Sequence, residues 1–352
     1  MLKEKTDTTP IVVMVTQVDP DAIGAALGLI TLLEHEIDQR GRQVRVVPVY
    51  CGGIGHPQNR ALFNIFNLGQ RFIHISNYTD PIVDRHFILV DSSDLNDSRL
   101  PEPLKGKRPA MIIDHHRSEV KAGNGSEFYW IEDGSSEGVG SSSTMVFELS
   151  KTFGVKFSET EQTLLTLGIH SDTKSMVDAT ARDRNAFAAL SAEVDGRKFS
   201  DLLRYPLPES YFVALHHALN GMEHHNEKVV ADVGSIPPED GDNISSIADF
   251  LLRMAGVTFV IVWGVVGKKV RLSLRSTDPS FSLNNFIADS FGKNAGGAKM
   301  TPEGVFEGGA TTSLELPVWI DVEDSTLETK VEELVREAIR VKVFPNGGSN
   351  GK

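Results

Sequence analysis

Hydrophobic positions in the first half of the chain alternate between short continuous runs and longer runs with helical spacing. The short runs are rich in Val and Ile and predict buried strands, whereas apolar residues that recur every three to four positions predict helices. Because strands and helices alternate, the pattern predicts a doubly wound, mostly parallel sheet. The predicted strands are 11–19, 43–50, 87–94 and 110–116, and the predicted helices are 21–41, 60–69, 141–154 and 158–172.

The pattern changes in the second half of the chain. A helix-rich stretch over 180–225 begins at Thr180, a predicted N-cap. Two apolar segments joined by Gly267 predict a β-hairpin, and a glycine-rich loop follows at 291–312. These features predict a second, smaller mixed α/β domain. The other predicted elements are a strand at 229–236, a helix at 245–255, hairpin strands at 257–266 and 268–276, a strand at 314–321 and a helix at 325–342.

The length of 352 residues supports two domains. We expect a first domain over 1–205, a linker over 206–228, a second domain over 229–345 that closes over the first and selects the substrate, and a disordered tail over 346–352.

The charge and the single cysteine restrict the function. A net charge of −13 gives no general attraction for long nucleic acid or an anionic membrane, so an anionic substrate needs local cations. With only Cys51, the chain has neither a disulfide framework nor a cysteine zinc site. The N-terminal "MLKEKTDTTP" has no apolar leader, and the longest apolar run is far shorter than the roughly 20 residues that span a bilayer. We expect a cytoplasmic protein.

Acidic residues stand where three of the predicted strands end. Parallel strands bring their carboxyl ends into one crevice, where ligands bind. Clustered carboxylates repel one another unless cations compensate. Oxygen ligands with one or two imidazoles suit manganese or magnesium better than structural zinc. The strand-end residues are Asp19, Asp21, Asp91 and Asp114, followed by His115 and His116, and Asp172 ends a predicted helix.

Four motifs that contain these residues resemble, in their order, those of the DHH phosphoesterase family. They are "DPDAIGAA" (19–26), "VDSSD" (90–94), "IDHHRSE" (113–119) and "GIHSDT" (168–173). Downstream, "KKVRLSLRS" with the helix and glycine-rich loop after it resembles the DHH-associated C-terminal domain. This pairing is similar to that of the nanoRNase and 3′-phosphoadenosine-5′-phosphate phosphatase branch.

The resemblance implies a site for two divalent ions, manganese first, with magnesium or cobalt as alternatives. Asp91 would bridge both ions and Asp19 would bind the first, while the second would be bound by Asp21, His115 and Asp172. His116 would face the scissile phosphate, and Asp114 would orient the imidazoles or add a ligand. In the second domain the substrate would be held by Arg275, Ser276, Gly296, Gly297 and Lys299.

The function implied is metal-dependent hydrolysis of phosphoric esters, with hydroxide activated by the ions. The expected substrates are short oligoribonucleotides, taken in the manner of a nanoRNase exonuclease, linear dinucleotides, or a nucleoside 3′,5′-bisphosphate. Alternatives are a cyclic dinucleotide phosphodiesterase and a nucleotide-binding sensor with degenerate catalysis. We expect neither long nucleic acid nor a membrane as partner, and a homodimer is left open.

Two positions depart from the family pattern. Val15 stands where the first motif usually has a metal-binding histidine, so Gln17 or water would complete that site. Ala298 stands where a histidine often follows the glycine pair. Both changes motivate the sensor alternative.

Several residues also have simpler explanations. A lone strand-end aspartate is most often a turn former or an N-cap, and Asp21 is itself placed to cap a helix. "SSST" at 141–144 is expected to cap a helix, and His170 is either a packed residue or one that supports Asp172. We interpret the remaining candidates as surface or boundary residues: His216, His217, His224 and His225, and Arg117, Arg182 and Arg184.

Overall fold

The structure, a computed structural model, describes most of the chain in two compact units, 1–206 and 207–352. None of the described helices is long and apolar enough to cross a membrane. The described residues are 9–97, 99–104, 107–118, 120–121, 127–132, 138–267, 269–300, 305–313 and 325–344.

The first unit contains a six-stranded parallel sheet with the strand order β3-β2-β1-β4-β5-β6. The predicted α/β class and parallel pairing are therefore confirmed, and the sequence pattern missed only the short β3 and β6. The strands are β1 (Ile11–Val15), β2 (Val46–Tyr50), β3 (Ile73–His74), β4 (Phe87–Val90), β5 (Met111–Asp114) and β6 (Phe128–Ile131). The helices are α1 (Pro20–Gln39), α2 (Pro57–Ile65), α3 (Ser142–Phe153), α4 (Glu159–Asp172), α5 (Ala181–Leu190) and α6 (Gly196–Leu203).

Local sequence sets where these helices begin. The Asp19 carboxylate accepts the Ala22 N–H at 2.9 Å and caps α1. Pro20 is the first helical residue, a position that needs no N–H donor, so the cap is Asp19 and the expectation that Asp21 would cap was wrong. Ser141 caps α3, and Thr180 caps α5 with a capping box, as predicted.

Two glycines allow α1 and α4 to cross at close range. A Cβ atom on Gly24 would lie 2.7 Å from the Leu164 carbonyl oxygen. A Cβ atom on Gly168 would lie 2.4 Å from Ser143 Oγ and 2.8 Å from Asp21 Oδ1. Side chains at these positions would force the helices apart, so the glycines keep the start of α1 beside the last turns of α4.

The second unit is built on a six-stranded mixed sheet with the order β11-β12-β10-β9-β8-β7. The parallel pair β8–β9 stands among antiparallel pairs, which confirms the mixed α/β prediction. Gly267, at φ +62°, turns β9 into β10 as predicted. The strands are β7 (Glu223–His225), β8 (Lys228–Ile236), β9 (Phe259–Val266), β10 (Lys269–Ser276), β11 (Gly296–Met300) and β12 (Phe306–Ser313). The helices are α7 (Glu209–Gly221), α8 (Asn243–Leu252), α9 (Leu283–Phe291) and α10 (Ser325–Val343).

Two segments of the second unit differ from expectation. The stretch 206–228, expected as a linker, contains α7 and β7, and Tyr211, Ala214 and Ala218 of α7 are buried in the core with β8. The glycine-rich segment is not a loop throughout, because β11 and β12 pair within it along the edge of the sheet. The predicted strand at 314–321 and the tail at 346–352 lie outside the described residues.

Candidate metal centre

The predicted acidic residues gather at the carboxyl edge of the first sheet. Asp19 follows β1, and Asp21 lies in the first turn of α1. Asp91 follows β4 in the left-handed region, at φ +58°, and its N–H donates to the Ile113 carbonyl of β5 at 2.8 Å. A left-handed aspartate costs backbone energy, and such strain is concentrated at functional sites. The bond to β5 fixes the Asp91 backbone there.

One imidazole lies at the centre of this group. His115 Nε2 is 3.1 Å from Asp172 Oδ2, 3.3 Å from Asp91 Oδ1 and 3.8 Å from Asp21 Oδ2, and the side chain is only 11% exposed. Within the described residues, a set of possible ligand atoms within 4.8 Å of one another comes from Asp91, His115, His116 and Asp172. The structure thus brings residues of all four motifs together.

Burial makes the charge of this cluster unfavourable without a cation. Burial, then the charge of Asp172, raises the pKa of Asp19 to about 8 and that of Asp21 to about 6. Burial, together with Asp21 and Asp19, raises the pKa of Asp91 well above its usual range. For His115, burial lowers the pKa, but hydrogen bonds to Asp172 and Asp91 outweigh it and hold the pKa well above its ordinary value.

These residues fit a divalent metal ion. Carboxylate oxygens and one imidazole are ligands that manganese and magnesium accept. A single His115 cation cannot neutralise the carboxylates that surround it, and the raised carboxyl pKa values show that positive charge is lacking. Residues 19, 21, 91, 115 and 172, proposed from the sequence as metal ligands, all belong to this arrangement.

The N-terminus of α3 holds two of the carboxylates in place. The N–H groups of Ser142 and Ser143 donate to the two Asp21 oxygens at 2.7 and 2.9 Å. Ser142 Oγ donates to Asp91 Oδ1 at 3.0 Å. A helix N-terminus stabilises negative charge, so the "SSST" segment does more than cap its own helix. The sequence interpretation missed this role, although a run of hydroxyl residues at a helix start was the available signal.

His116 and Asp114 form a second pair at the rim of the cluster. His116 Nδ1 lies 2.8 Å from Asp114 Oδ1, and the His116 side chain is half-exposed. Burial favours a higher pKa for Asp114, but the hydrogen bonds from His116 and Ser93 outweigh it and lower the pKa. An ionised Asp114 therefore accepts the Nδ1 proton and leaves Nε2 of His116 for other partners, as the orienting role predicted from the sequence requires.

The first motif departs from the pattern in the structure as well. Val15 is fully buried in the core and offers no ligand. Gln17 is exposed, and its Oε1 accepts a hydrogen bond from Arg99 Nη1 at 2.7 Å. Gln17, two residues before Asp19, thus contacts an arginine that the sequence interpretation did not single out.

The predicted substrate residues of the second unit have local partners. The Arg275 side chain is 8% exposed; its Nε and Nη2 donate to Asp249 at 2.5 and 3.2 Å, and Nη1 donates to Ser273 and the Leu274 carbonyl. The expected free guanidinium fork is therefore already occupied. Ser276 is buried, and its Oγ accepts the Asp278 N–H.

The glycine pair of β11 has a packing role. A Cβ atom on Gly296 would lie 1.9 Å from the Gly309 carbonyl, so Gly296 allows the close approach of β11 and β12. Gly297 continues the same strand. The Ala298 N–H donates to Asn284 Oδ1 at 2.7 Å. The side chain of Lys299 lies outside the described residues.

Three of the remaining candidates, His217, His170 and Arg182, have structural partners. His217 Nδ1 lies 3.0 Å from buried Asp232, and the ring of His170 packs edge-on against Phe199. Burial lowers the pKa of His170. Arg182 pairs with Glu132 and Glu148. Neither His170 nor Arg182 has a described contact with the carboxylates of the cluster.

A family comparison agrees with this geometry. Residues 10–169 match the model of the DHH family, N-terminal domain. The first unit matches a DHH domain. The resemblance inferred from the motifs is confirmed. The matched range includes Asp19 and Asp91, which follow β1 and β4, and Asp114, which ends β5, and it stops before Asp172. DHH phosphoesterases use divalent metal ions, and among the described residues an Asp/His cluster that could hold one lies in this unit.

The chain also has relatives among known proteins. It is 26% identical over 329 residues to the uncharacterized protein MJ1633 of Methanocaldococcus jannaschii. The alignment covers 93% of this chain and 61% of the relative, so this chain spans less than two thirds of that protein. An exopolyphosphatase-related protein of Bacteroides fragilis shares the fold, with a TM-score of 0.61 and 16% identity over 96% of this chain and 94% of that one. A pGpG-specific phosphodiesterase of Vibrio cholerae aligns with a TM-score of 0.38 and 13% identity over 92% of this chain and 99% of that one.

Proposed function

We propose that this protein is a metal-dependent phosphoesterase that hydrolyses small nucleotide substrates. The substrates would be short oligoribonucleotides, linear dinucleotides or a nucleoside 3′,5′-bisphosphate. The observation that carries the proposal is the position of His115 Nε2 within 3.1 to 3.8 Å of three carboxylates in a DHH domain. Such a cluster suits a cation that attracts phosphate.

Two divalent ions, manganese by preference, would be held by the carboxylates and His115. Asp91 would lie between them, with Asp19 on one side and Asp21, His115 and Asp172 on the other. Divalent ions at such a site neutralise phosphate oxygens and make bound water acidic enough to react at neutral pH. The hydrogen bonds from Ser142 and Ser143 keep Asp21 oriented for this task.

His116 would handle the proton of the leaving group. Because Asp114 accepts the Nδ1 proton, the imidazole is held in one orientation with Nε2 directed away from Asp114. When the ring carries protons on both nitrogens, Nε2 can donate one to the oxygen that leaves phosphorus, and the ring then remains neutral with its Nδ1 proton on Asp114. General acid catalysis of this kind contributes about 10²- to 10⁴-fold to a rate.

A small substrate agrees with the charge of the chain. Long nucleic acid is bound through many phosphate contacts to lysine and arginine, and a net charge of −13 offers no extended basic track. A short nucleotide needs only the ions and a few local cations. The specific observation that favours the second candidate, a sensor that binds nucleotide without turnover, is Val15. This residue is buried and offers no ligand atom where the family's first motif usually has a histidine.

One activity panel separates these candidates. The protein is assayed with manganese and with chelator on a labelled diribonucleotide, a 5-mer, a 20-mer, 3′-phosphoadenosine-5′-phosphate, a cyclic dinucleotide and pyrophosphate. Manganese-dependent cleavage confined to the short linear substrates is the expected result. Cleavage of the cyclic dinucleotide alone would replace the proposed substrate class, and silence from a folded, metal-loaded protein would favour the sensor.

A further inference from the structure

An arginine outside the four motifs contacts Gln17, two residues before Asp19, and is held in a fixed orientation. Arg99 Nε donates to Asp97 Oδ1 at 2.9 Å, and its Nη2 donates to Oδ2 at 2.6 Å. The Arg99 backbone N–H donates to the same carboxylate at 2.8 Å. Asp97 is buried, and the bonds from Arg99 lower its pKa although burial opposes this. The carboxylate therefore stays ionised and orients the guanidinium.

The other edge of the Arg99 guanidinium faces the first motif. Its Nη1 donates to Gln17 Oε1 at 2.7 Å, two residues before Asp19. The hydrogen bond with Asp97 raises the Arg99 pKa, and the charge of Asp19 adds to the effect. The Arg99 Cδ passes 3.4 Å from the position of a Cβ on Gly52, just after β2. The arginine thus lies at the same carboxyl edge as the metal-ligand candidates.

The Arg99 guanidinium has more N–H groups left for a ligand than the Arg275 guanidinium. Three of its five N–H groups have acceptors in the described part of the chain: the one on Nε, one of the two on Nη2 and one of the two on Nη1. The side chain is 39% exposed. Arg275 differs, because three of its nitrogens donate to Asp249, Ser273 and Leu274 and it is buried. The outer edge of Arg99, between Nη1 and Nη2, is the part that can accept a ligand.

We propose that Arg99 is a substrate-binding residue whose Nη1–Nη2 edge binds a phosphate oxygen of the substrate on the Asp19 side of the metal cluster. A planar guanidinium matches phosphate bidentately, and Asp97 has already fixed its orientation. Gln17 is exposed and turns aside as the phosphate enters. On this side of Asp19, where Val15 offers no ligand, Arg99 supplies the positive charge. This inference rests on the proposed function and names one of its phosphate contacts.

Phosphate binding tests the role of Arg99 without the need for turnover. Calorimetric titration measures the affinity of the full, manganese-loaded chain for inorganic phosphate and for AMP. Arg99→Gln is expected to bind both about 10- to 100-fold more weakly, since charge-assisted hydrogen bonds are lost. Arg45→Gln is the matched control: Arg45 also pairs with an aspartate, Asp80, but it precedes β2 at the amino edge of the sheet. Arg45→Gln should bind phosphate and AMP with the affinity of the wild type.

Two further readouts separate this role from a structural one. Manganese affinity should be unchanged or higher in Arg99→Gln, because a neighbouring positive charge has been removed; parallel loss of manganese and phosphate binding would overturn the proposal. If Arg99→Gln does not fold, Arg99→Lys is measured instead, because lysine keeps the charge beside Asp97 but not the planar guanidinium. Several-fold weaker phosphate binding is then expected, and wild-type binding would overturn the proposal. Because these readouts measure binding, a protein that hydrolyses nothing still tests Arg99.

Discussion

At the scale of single residues, neighbouring side chains in the site have different tasks. His115 lies among Asp21, Asp91 and Asp172, whereas His116 turns to Asp114. Adjacent residues after a strand point in different directions, so one imidazole reaches the carboxylates and the other reaches the rim. The sequence predicted this division through the family motif, but the orientation of each ring follows from the hydrogen bonds seen in the structure.

The two histidines should therefore respond differently to removal. His115→Ala is expected to lose the divalent ion, because it deletes a ligand, and to lose hydrolysis with it. His116→Ala is expected to keep the ion and to lower kcat about 10²- to 10⁴-fold, since the proton donor is absent. Atomic emission on desalted protein, together with steady-state kinetics, provides the comparison. Loss of the ion from His116→Ala would show that His116 is itself a ligand.

At the scale of elements, much of the first unit could be predicted because its strands are nearly continuous apolar runs. Burial on both faces of a parallel sheet produces that pattern, and the end of each apolar run shows where an acidic residue reaches the edge of the sheet. The support of Asp21 by the N-terminus of α3 could not be predicted, because 121 residues separate Asp21 from Ser142. In the second unit, the pairing of β11 with β12 was missed because glycine-rich segments carry no apolar alternation.

The close crossing of α1 and α4 gives a prediction at this scale. Gly168→Ala places a methyl group where Ser143 Oγ and Asp21 already lie. Overpacking of this kind costs about 1–3 kcal/mol, which lowers the melting temperature by about 2–4 °C per kcal/mol in a domain of this size. Manganese affinity should fall as well, because Asp21 must shift.

The matched control for this change is Gly196→Ala, at the first residue of α6, where a Cβ atom would meet nothing within 4 Å. Thermal unfolding and manganese titration of both variants measure the effect. Equal melting temperatures for the two variants would contradict the packing argument.

At the scale of the whole molecule, the acidic cluster links stability to pH and to metal. The pKa of Asp19 rises from 3.8 to about 8 on folding, and that of Asp21 to about 6. Between pH 3.8 and about 8 the folded state retains protons that the unfolded state has released. The free energy of unfolding therefore falls as pH rises through this window. His115, with its raised pKa, acts in the same direction. A bound divalent ion removes the repulsion.

We therefore predict that, in chelator, these groups make the protein less stable at pH 8 than at pH 6, and that manganese raises the melting temperature more at pH 8. Asp19→Asn should flatten the pH dependence, since asparagine still caps α1 but does not ionise. Thermal unfolding at the two pH values measures both effects. If manganese raises the melting temperature more at pH 6 than at pH 8, the charge argument is contradicted.

The central claim is that the cluster around Asp91 binds the metal that hydrolysis requires. The most direct measurement is the metal content and manganese-dependent nucleotide release of Asp91→Ala beside Asp94→Ala, with circular dichroism to confirm that both are folded. Asp94 belongs to the same "VDSSD" motif, but it is exposed and its carboxylate accepts the N–H of nearby Asn96. We predict that Asp91→Ala loses both the ion and activity and that Asp94→Ala matches the wild type. Full activity with bound metal in Asp91→Ala would contradict the account.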